Sequence, residues 1–84
     1  MKECYLCGKV GVTERHHVYS GSYRRTADRL GLVIDLCPEC HRFIHYGKGA
    51  ETKQQIQTDI QFQYMERNGW TKEQWLSQFG KSWI

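Results

Sequence analysis

Two stretches of the chain have the hydrophobic pattern of short β-strands. Residues 12–19 alternate loosely between polar and apolar side chains and are rich in residues that favour strands. Residues 32–36 form a short apolar run, and the two segments are predicted to pair as strands. Because neighbouring side chains of a strand face opposite ways, His16 and His17 are expected on different sides, unless a bulge or bend brings them together.

Helical signals flank the second predicted strand. Residues 20–22 include a glycine and are predicted as a loop, which leads into a short helix over residues 23–30 that ends at Gly31. After the strand, Pro38 suits the first turn of a second helix, which is predicted over residues 38–46.

The helix predicted over residues 38–46 carries two histidines on one face. His41 and His45 are four residues apart, so their side chains are positioned to bind a common ion. Gly47 and Gly49 are expected to end this helix.

The remaining sequence is predicted to form two helices that pack on the first part of the chain. Two capping boxes and two terminal glycines mark their ends: Thr52 with Gln55, Thr71 with Gln74, Gly69 and Gly80. Their apolar stripe consists of Ile56, Ile60, Tyr64, Trp70, Trp75, Leu76 and Phe79. Such a stripe is typical of a core, although aromatic residues of a basic protein could also stack on nucleic-acid bases.

The cysteines predict a structural metal site. The chain has 84 residues, which suits one small domain whose core needs additional stabilisation. All four cysteines form C-x2-C pairs, Cys4 with Cys7 and Cys37 with Cys40. This spacing is typical of zinc knuckles, in which Gly8 permits the turn that points backbone amides at sulfur. Two disulfides are the alternative, but no segment resembles a signal peptide, so zinc in a cytoplasmic protein is favoured.

The basic residues concentrate near the cysteines and histidines. Twelve Lys and Arg against nine Asp and Glu give a net charge of +3. A basic metal-binding half suits a site that meets phosphate, and the residues expected to contact nucleic acid are Arg15, Arg24, Arg25 and Lys48. For each of these side chains, a solvated charged face is the alternative. No apolar run approaches the roughly 20 residues that span a bilayer, so no membrane contact is expected.

The order of these elements resembles the ββα-metal, or HNH, endonuclease family. The resemblance is carried by a His-His doublet at the end of a strand, a short second strand, and a helix with Cys-His and a later histidine. The cysteine pairs are similar to those of its zinc-stapled subgroup. Residues 14–19, 27–37 and 79–84 also resemble small phage proteins related to the RecA-dependent nuclease family.

The resemblance implies both a fold and an activity. The fold is an α+β single domain over residues 1–84, with a zinc-stapled ββα-metal core over 1–47 and two C-terminal helices in an extension over 48–84. The activity is metal-dependent hydrolysis of DNA phosphodiester bonds, in phage recombination or DNA processing in the cytoplasm of a bacterial host. DNA is then the main partner, and a recombination protein is a further candidate.

The resemblance also assigns the histidines. In the related motif the second histidine of the doublet is the general base, which here is His17. The ligands of a catalytic divalent ion, Mg²⁺, Mn²⁺, Ni²⁺ or Zn²⁺, are then His16, His41 and His45. The chemistry is suitable, because histidine can take a proton from water near neutral pH and an ion held by neutral imidazoles keeps positions open for a phosphate.

One position departs from the family pattern. The motif's asparagine usually lies nine residues before the first helical histidine, and Leu32 occupies that position here. The only asparagine, Asn68, lies in the predicted helical extension. Asp28 or Asp35 is expected to substitute by accepting a hydrogen bond from the imidazole of His17, because a carboxylate can orient a general base.

Other interpretations of the same residues stay open. His41 follows Cys40 directly and could replace a cysteine in the zinc site, and His45 could serve only the C-terminal dipole of its helix. The whole protein could also be a non-catalytic zinc module that binds DNA or a recombination protein. Metal counting separates these models, since the nuclease needs a second, exchangeable ion in addition to zinc.

Overall fold

This computed structural model describes residues 1–46 and 49–84. The described residues contain two short antiparallel strand pairs and four α-helices. The strands are β1 (Lys2–Glu3), β2 (Val10–Gly11), β3 (Glu14–His17) and β4 (Val33–Leu36). The helices are α1 (Arg24–Arg29), α2 (Pro38–His45), α3 (Ala50–Asn68) and α4 (Lys72–Phe79). The predicted α+β class is therefore confirmed.

The two strands predicted from the hydrophobic pattern form one antiparallel pair. β3 is shorter than the predicted strand over residues 12–19, and it pairs one-to-one with β4, with His16 opposite Ile34 and His17 opposite Val33. Since this pairing contains no bulge, the two histidines face opposite sides, as alternation predicts. His16 is only 3% exposed, whereas His17 is half-buried on the other face.

The segment between β3 and β4 contains a 3₁₀ turn followed by α1, which is slightly shorter than the helix predicted over residues 23–30. Residues Gly21–Tyr23 form a single 3₁₀ turn that continues directly into α1, so the loop prediction holds for Ser20 and is wrong for Gly21 and Ser22. The backbone makes the turn continuous, since the N–H of Tyr23 donates to the carbonyl of Ser20 and Tyr23 already has helical dihedral angles. Gly31 follows α1 with a φ of +75°, a conformation that favours glycine.

Helix α2 begins as predicted and ends one residue earlier. Cys37 is its N-cap and Pro38 occupies the first turn, where the missing N–H of proline leaves no helical bond unmade. The helix ends at His45, and the prediction that involves Gly47 lies outside the described residues. Gly49 serves instead as the N-cap of α3.

Gly49 lies directly against the backbone of α2. A Cβ atom at this position would stand 1.9 Å from the carbonyl oxygen of Phe43 and 2.5 Å from the Cα of Ile44. Only glycine permits this approach, which brings the start of α3 against the second half of α2.

The capping boxes predicted for the last two helices had different outcomes. The box of Thr52 with Gln55 is wrong, because α3 begins at Ala50 and Thr52 lies inside its first turn. The box of Thr71 with Gln74 is confirmed, with both reciprocal hydrogen bonds formed at the start of α4. Gly69 and Gly80 end their helices in the left-handed conformation, as predicted. No helix in the described part of the chain is both long and apolar enough to span a membrane.

The predicted apolar stripe packs on the strand that carries the histidines. Tyr19, two residues after the end of β3, contacts the rings of Trp75, Phe79 and Trp83 at centroid distances of 5.9, 5.4 and 4.5 Å. Leu76 departs from the predicted stripe, since it is 37% exposed on the outer face of α4. Trp75 and Phe79 are buried, so they are not available to stack on nucleic-acid bases.

A buried glutamine ties the segment after α4 to α3. Gln61 is fully buried, its side-chain oxygen accepts from the backbone N–H of Trp83 at 2.7 Å, and its amide donates to Ser82 at 3.0 Å. These bonds satisfy a buried polar group and hold Trp83 against the ring of Tyr19. The helices therefore support the strand that positions His16 and His17.

Candidate metal centres

The four cysteines form one compact cluster. Their sulfur atoms all lie within 4.8 Å of one another, and the sulfurs of Cys7 and Cys37 are 3.8 Å apart. A tetrahedral ion with Zn–S bonds near 2.3 Å needs about 3.8 Å between its sulfur ligands. None of the four forms a disulfide. The cluster could therefore bind a structural metal such as zinc.

Both C-x2-C pairs have the backbone support that metal thiolates need. The amide of Cys7 donates to the sulfur of Cys4, and the amide of Cys40 donates to the sulfur of Cys37, each at 3.5 Å. Gly8 has a φ of +77°, so it permits the turn that the sequence predicted. A hydrogen bond joins the first pair to β4, since the backbone N–H of Tyr5, between Cys4 and Cys7, donates to the carbonyl of Asp35 at 2.8 Å.

The thiols of this cluster are electrostatically unequal. Burial raises the pKa of Cys4, but hydrogen bonds from the backbone amides of Cys37 and Cys7 outweigh it and lower this pKa to about 6. Burial and the neighbouring thiol of Cys37 instead raise the pKa of Cys40. The protein alone thus stabilises the thiolate of Cys4, whereas deprotonation of Cys40 near neutral pH would need a bound cation.

Three of the four histidines form a second cluster, separate from the cysteines. One ring nitrogen each of His16, His41 and His45 lies within 4.8 Å of the other two. Their ring centroids are 5.4, 5.5 and 4.8 Å apart. His16 comes from β3 and the other two come from successive turns of α2, and strand-helix packing brings the three together. The spacing predicted the pairing of His41 with His45, and the family resemblance implied the addition of His16.

The three histidines of this cluster differ in their exposure to solvent. His16 is buried, His41 is half-buried and His45 is exposed. Burial, followed by the nearby charges of His41 and His45, lowers the pKa of His16 to about 4. Its ring is therefore neutral at neutral pH, which is the form that binds a metal. This donor set fits a divalent ion with three imidazole ligands and a side open to solvent.

A carboxylate that the sequence analysis missed contacts this cluster. The side chain of Glu14 lies 2.8 Å from Nδ1 of His41. The available signal was spacing, because Glu14 and His16 are two residues apart on one strand and share a face. The interpretation that His41 replaces a cysteine is not needed, since the four cysteines cluster without it.

His17 lies outside the histidine cluster and has its own partners. Its Nδ1 is 2.8 Å from a carboxylate oxygen of Asp28, and its Nε2 is 3.2 Å from the guanidinium of Arg24. Of the two predicted partners, Asp28 is thus the one in contact, and Asp35 pairs with Lys2 at 3.7 Å. Because a guanidinium only donates, this arrangement places the proton of His17 on Nδ1.

The basic residues predicted to bind nucleic acid are placed unevenly. Arg24 and Arg25 are exposed at the start of α1, and Arg15 is exposed on the same face of β3 as His17. Lys48 lies outside the described residues. Their role toward nucleic acid stays a prediction. At the position of the missing asparagine, Leu32 is buried in the core.

Comparison of the chain with protein-family models, curated proteins and solved structures found no match.

Proposed function

We propose that this protein is a metal-dependent DNA endonuclease of the HNH, or ββα-metal, type. The observation that carries the proposal is the convergence of His16 from β3 with His41 and His45 from α2. An antiparallel strand pair followed by a helix supplies this arrangement, and the four-cysteine cluster adjoins it through the same helix. This order of elements and ligands resembles the family pattern.

The histidine cluster would hold the catalytic ion in this proposal. His16, His41 and His45 are its ligands, and Mg²⁺, Mn²⁺, Ni²⁺ and Zn²⁺ are the candidate ions. When bound, the ion would neutralise charge that develops on the phosphate and on the leaving oxygen.

His17 is the proposed general base. With its Nδ1 proton donated to Asp28, its Nε2 has a lone pair that can take a proton from water. The water oxygen then bonds to phosphorus, and the bond from phosphorus to the 3′-oxygen breaks. The departing 3′-oxygen takes a proton from solvent. Asp28 orients the ring, so it supplies the function of the asparagine that Leu32 replaces.

Arg24 connects substrate binding to the base. Its guanidinium donates a hydrogen bond to Nε2 of His17 and also lies 3.7 Å from a carboxylate oxygen of Asp28. A DNA phosphate can accept two hydrogen bonds from this guanidinium and is a stronger partner than the imidazole. If the guanidinium moved from His17 to the phosphate, Nε2 of His17 would be free to bind water. The exposed Arg15 and Arg25 would provide further phosphate contacts. Lys48 completes the proposed basic set.

The biological setting follows from the resemblance alone. It places the activity in phage recombination or DNA processing, in the cytoplasm of a bacterial host, with a recombination protein as a further partner. The single domain over residues 1–84, with its core over 1–47 and its helical extension over 48–84, is part of the same proposal.

A plasmid assay tests the proposed activity. Purified protein with Mg²⁺, Mn²⁺, Ni²⁺ or Zn²⁺ should convert supercoiled DNA to nicked or linear forms, and His17→Ala should abolish conversion. Gln63→Ala, at an exposed position of α3, is the matched control and should cleave like the original protein. Circular dichroism checks that both variants keep the fold. Equal cleavage by the original protein and His17→Ala would exclude His17 as the base.

A non-catalytic zinc module that binds DNA or a recombination protein is the second candidate. Two observations favour it: Arg24 occupies Nε2 of His17, and the asparagine position holds a buried leucine. Elemental analysis after dialysis, followed by titration with Mn²⁺ or Zn²⁺, separates the candidates. The module predicts one tight ion per chain, whereas the nuclease predicts a second, exchangeable ion.

A further inference from the structure

We propose that Glu14 is a positioning residue for the histidine cluster. Its carboxylate holds His41 in the tautomer and ring orientation that present Nε2 to the ion shared with His16 and His45. The inference deepens the proposed function, since it rests on that metal site, but it concerns a residue outside the ligands and the base.

Strand and helix geometry bring Glu14 to His41. In β3, Glu14 lies two residues before His16, so both side chains project from the same face toward α2. His41 is on the second turn of α2, and the gap between strand and helix is bridged by the 2.8 Å contact from the Glu14 carboxylate to Nδ1. A strand residue thereby fixes the orientation of a helix residue.

The chemistry of the pair determines the tautomer. An ionised carboxylate can only accept hydrogen bonds, so the proton of a neutral His41 ring lies on Nδ1. The lone pair then lies on Nε2, which is the nitrogen left for a metal. A carboxylate behind a ligating histidine also raises the basicity of the ring, and loss of such a partner typically weakens metal binding by about 10–100-fold.

The exposure of the pair explains why orientation matters here. The side chain of His41 is 24% exposed and that of Glu14 is 50% exposed, so packing alone does not hold either one. His16, in contrast, is fixed by burial. The hydrogen bond therefore supplies to His41 the orientation that the core supplies to His16.

Metal titration of two variants tests the role of Glu14. The protein first receives one equivalent of zinc and is then titrated with Co²⁺ by calorimetry, with the cobalt absorption bands reporting nitrogen rather than sulfur ligands. Glu14→Ala should weaken the second site by about 10–100-fold. Glu14→Gln, whose amide oxygen still accepts from Nδ1–H but has no charge, should fall between. Glu66→Gln, exposed on α3, is the matched control and should bind like the original protein.

Nitrogen NMR provides a readout that does not depend on activity or on the second ion. In the zinc-loaded protein, two-bond ¹H–¹⁵N correlations should show His41 protonated at Nδ1, and Glu14→Ala should show a mixture of tautomers. An unchanged tautomer, or an unchanged affinity for Co²⁺ in Glu14→Ala, would overturn the inference. If the variants behave as expected but no plasmid is cleaved, the nuclease proposal fails and the role of Glu14 stands.

Discussion

The two clusters that share α2 differ in the number of their donor atoms, the chemical type of these donors and their exposure to solvent. The cysteine cluster has four sulfur donors, and backbone amides support one sulfur in each pair. The histidine cluster has three nitrogen donors, ranges from buried to exposed, and has a carboxylate behind one ring. Four protein ligands close a tetrahedral site, whereas three leave a position for water or substrate. The four-cysteine cluster is therefore suited to a closed structural site, and the three-histidine cluster to a site with an open position.

Removal of a cysteine ligand should have the largest effect. Cys37→Ser takes away a buried sulfur donor, while serine can still serve as the N-cap of α2, so the variant isolates the loss of the metal ligand. Structural zinc contributes on the order of 10 kcal/mol in comparable small sites, which is as large as the whole free energy of unfolding of a typical domain. We expect the variant to be unfolded by circular dichroism at 25 °C, as the original protein should be after prolonged chelation. A folded, cooperative Cys37→Ser protein would show that this cluster is not the structural one.

Gly49→Ala should have the next largest effect, because it acts where α3 meets the second half of α2, which carries His45. The added methyl group collides with the backbone at Phe43 and Ile44, and the forced shift should lower the free energy of unfolding by about 3 kcal/mol. Gly11→Ala is the control, since a Cβ there meets nothing within 4 Å. Urea denaturation measures both, and equal stabilities would contradict the close approach.

His45→Ala should change the fold least. His45 is exposed, so we expect the free energy of unfolding of the zinc-loaded protein to change by about 0.5 kcal/mol or less. The same variant should lose binding of the second ion in a Co²⁺ titration while it keeps the first. If it lost the tight zinc instead, the two clusters would not be separate sites, and the comparison between them would fail.

The part of the candidate site that the sequence could predict depends on local spacing. The C-x2-C pairs, the four-residue interval between His41 and His45, and strand alternation at His16 and His17 each follow from the geometry of one element. Pro38 and the box at Thr71 likewise act within a single turn of helix. These features were therefore visible before any contact between elements was known.

The features that the sequence could not predict depend on contacts between distant elements. Glu14 reaches His41 only because β3 packs on α2, and Gly49 is required only because α3 begins against α2. The false capping box at Thr52 has the same origin, since packing starts the helix earlier than the local motif does. Of Asp28 and Asp35, only the packing of α1 on β3 selected Asp28 as the partner of His17.

Cys40 and His41 are consecutive residues of an eight-residue helix, yet they belong to different clusters. A rigid helix cannot move one of these side chains without moving the other, so the binding equilibria at the two clusters are linked. Zinc on the cysteines would fix the position of His41 and His45 relative to His16 and raise their affinity for an ion. By thermodynamic reciprocity, that second ion would strengthen zinc binding by the same factor. If both clusters bind ions, positive cooperativity between the two metals is therefore the expected consequence of the helix that they share.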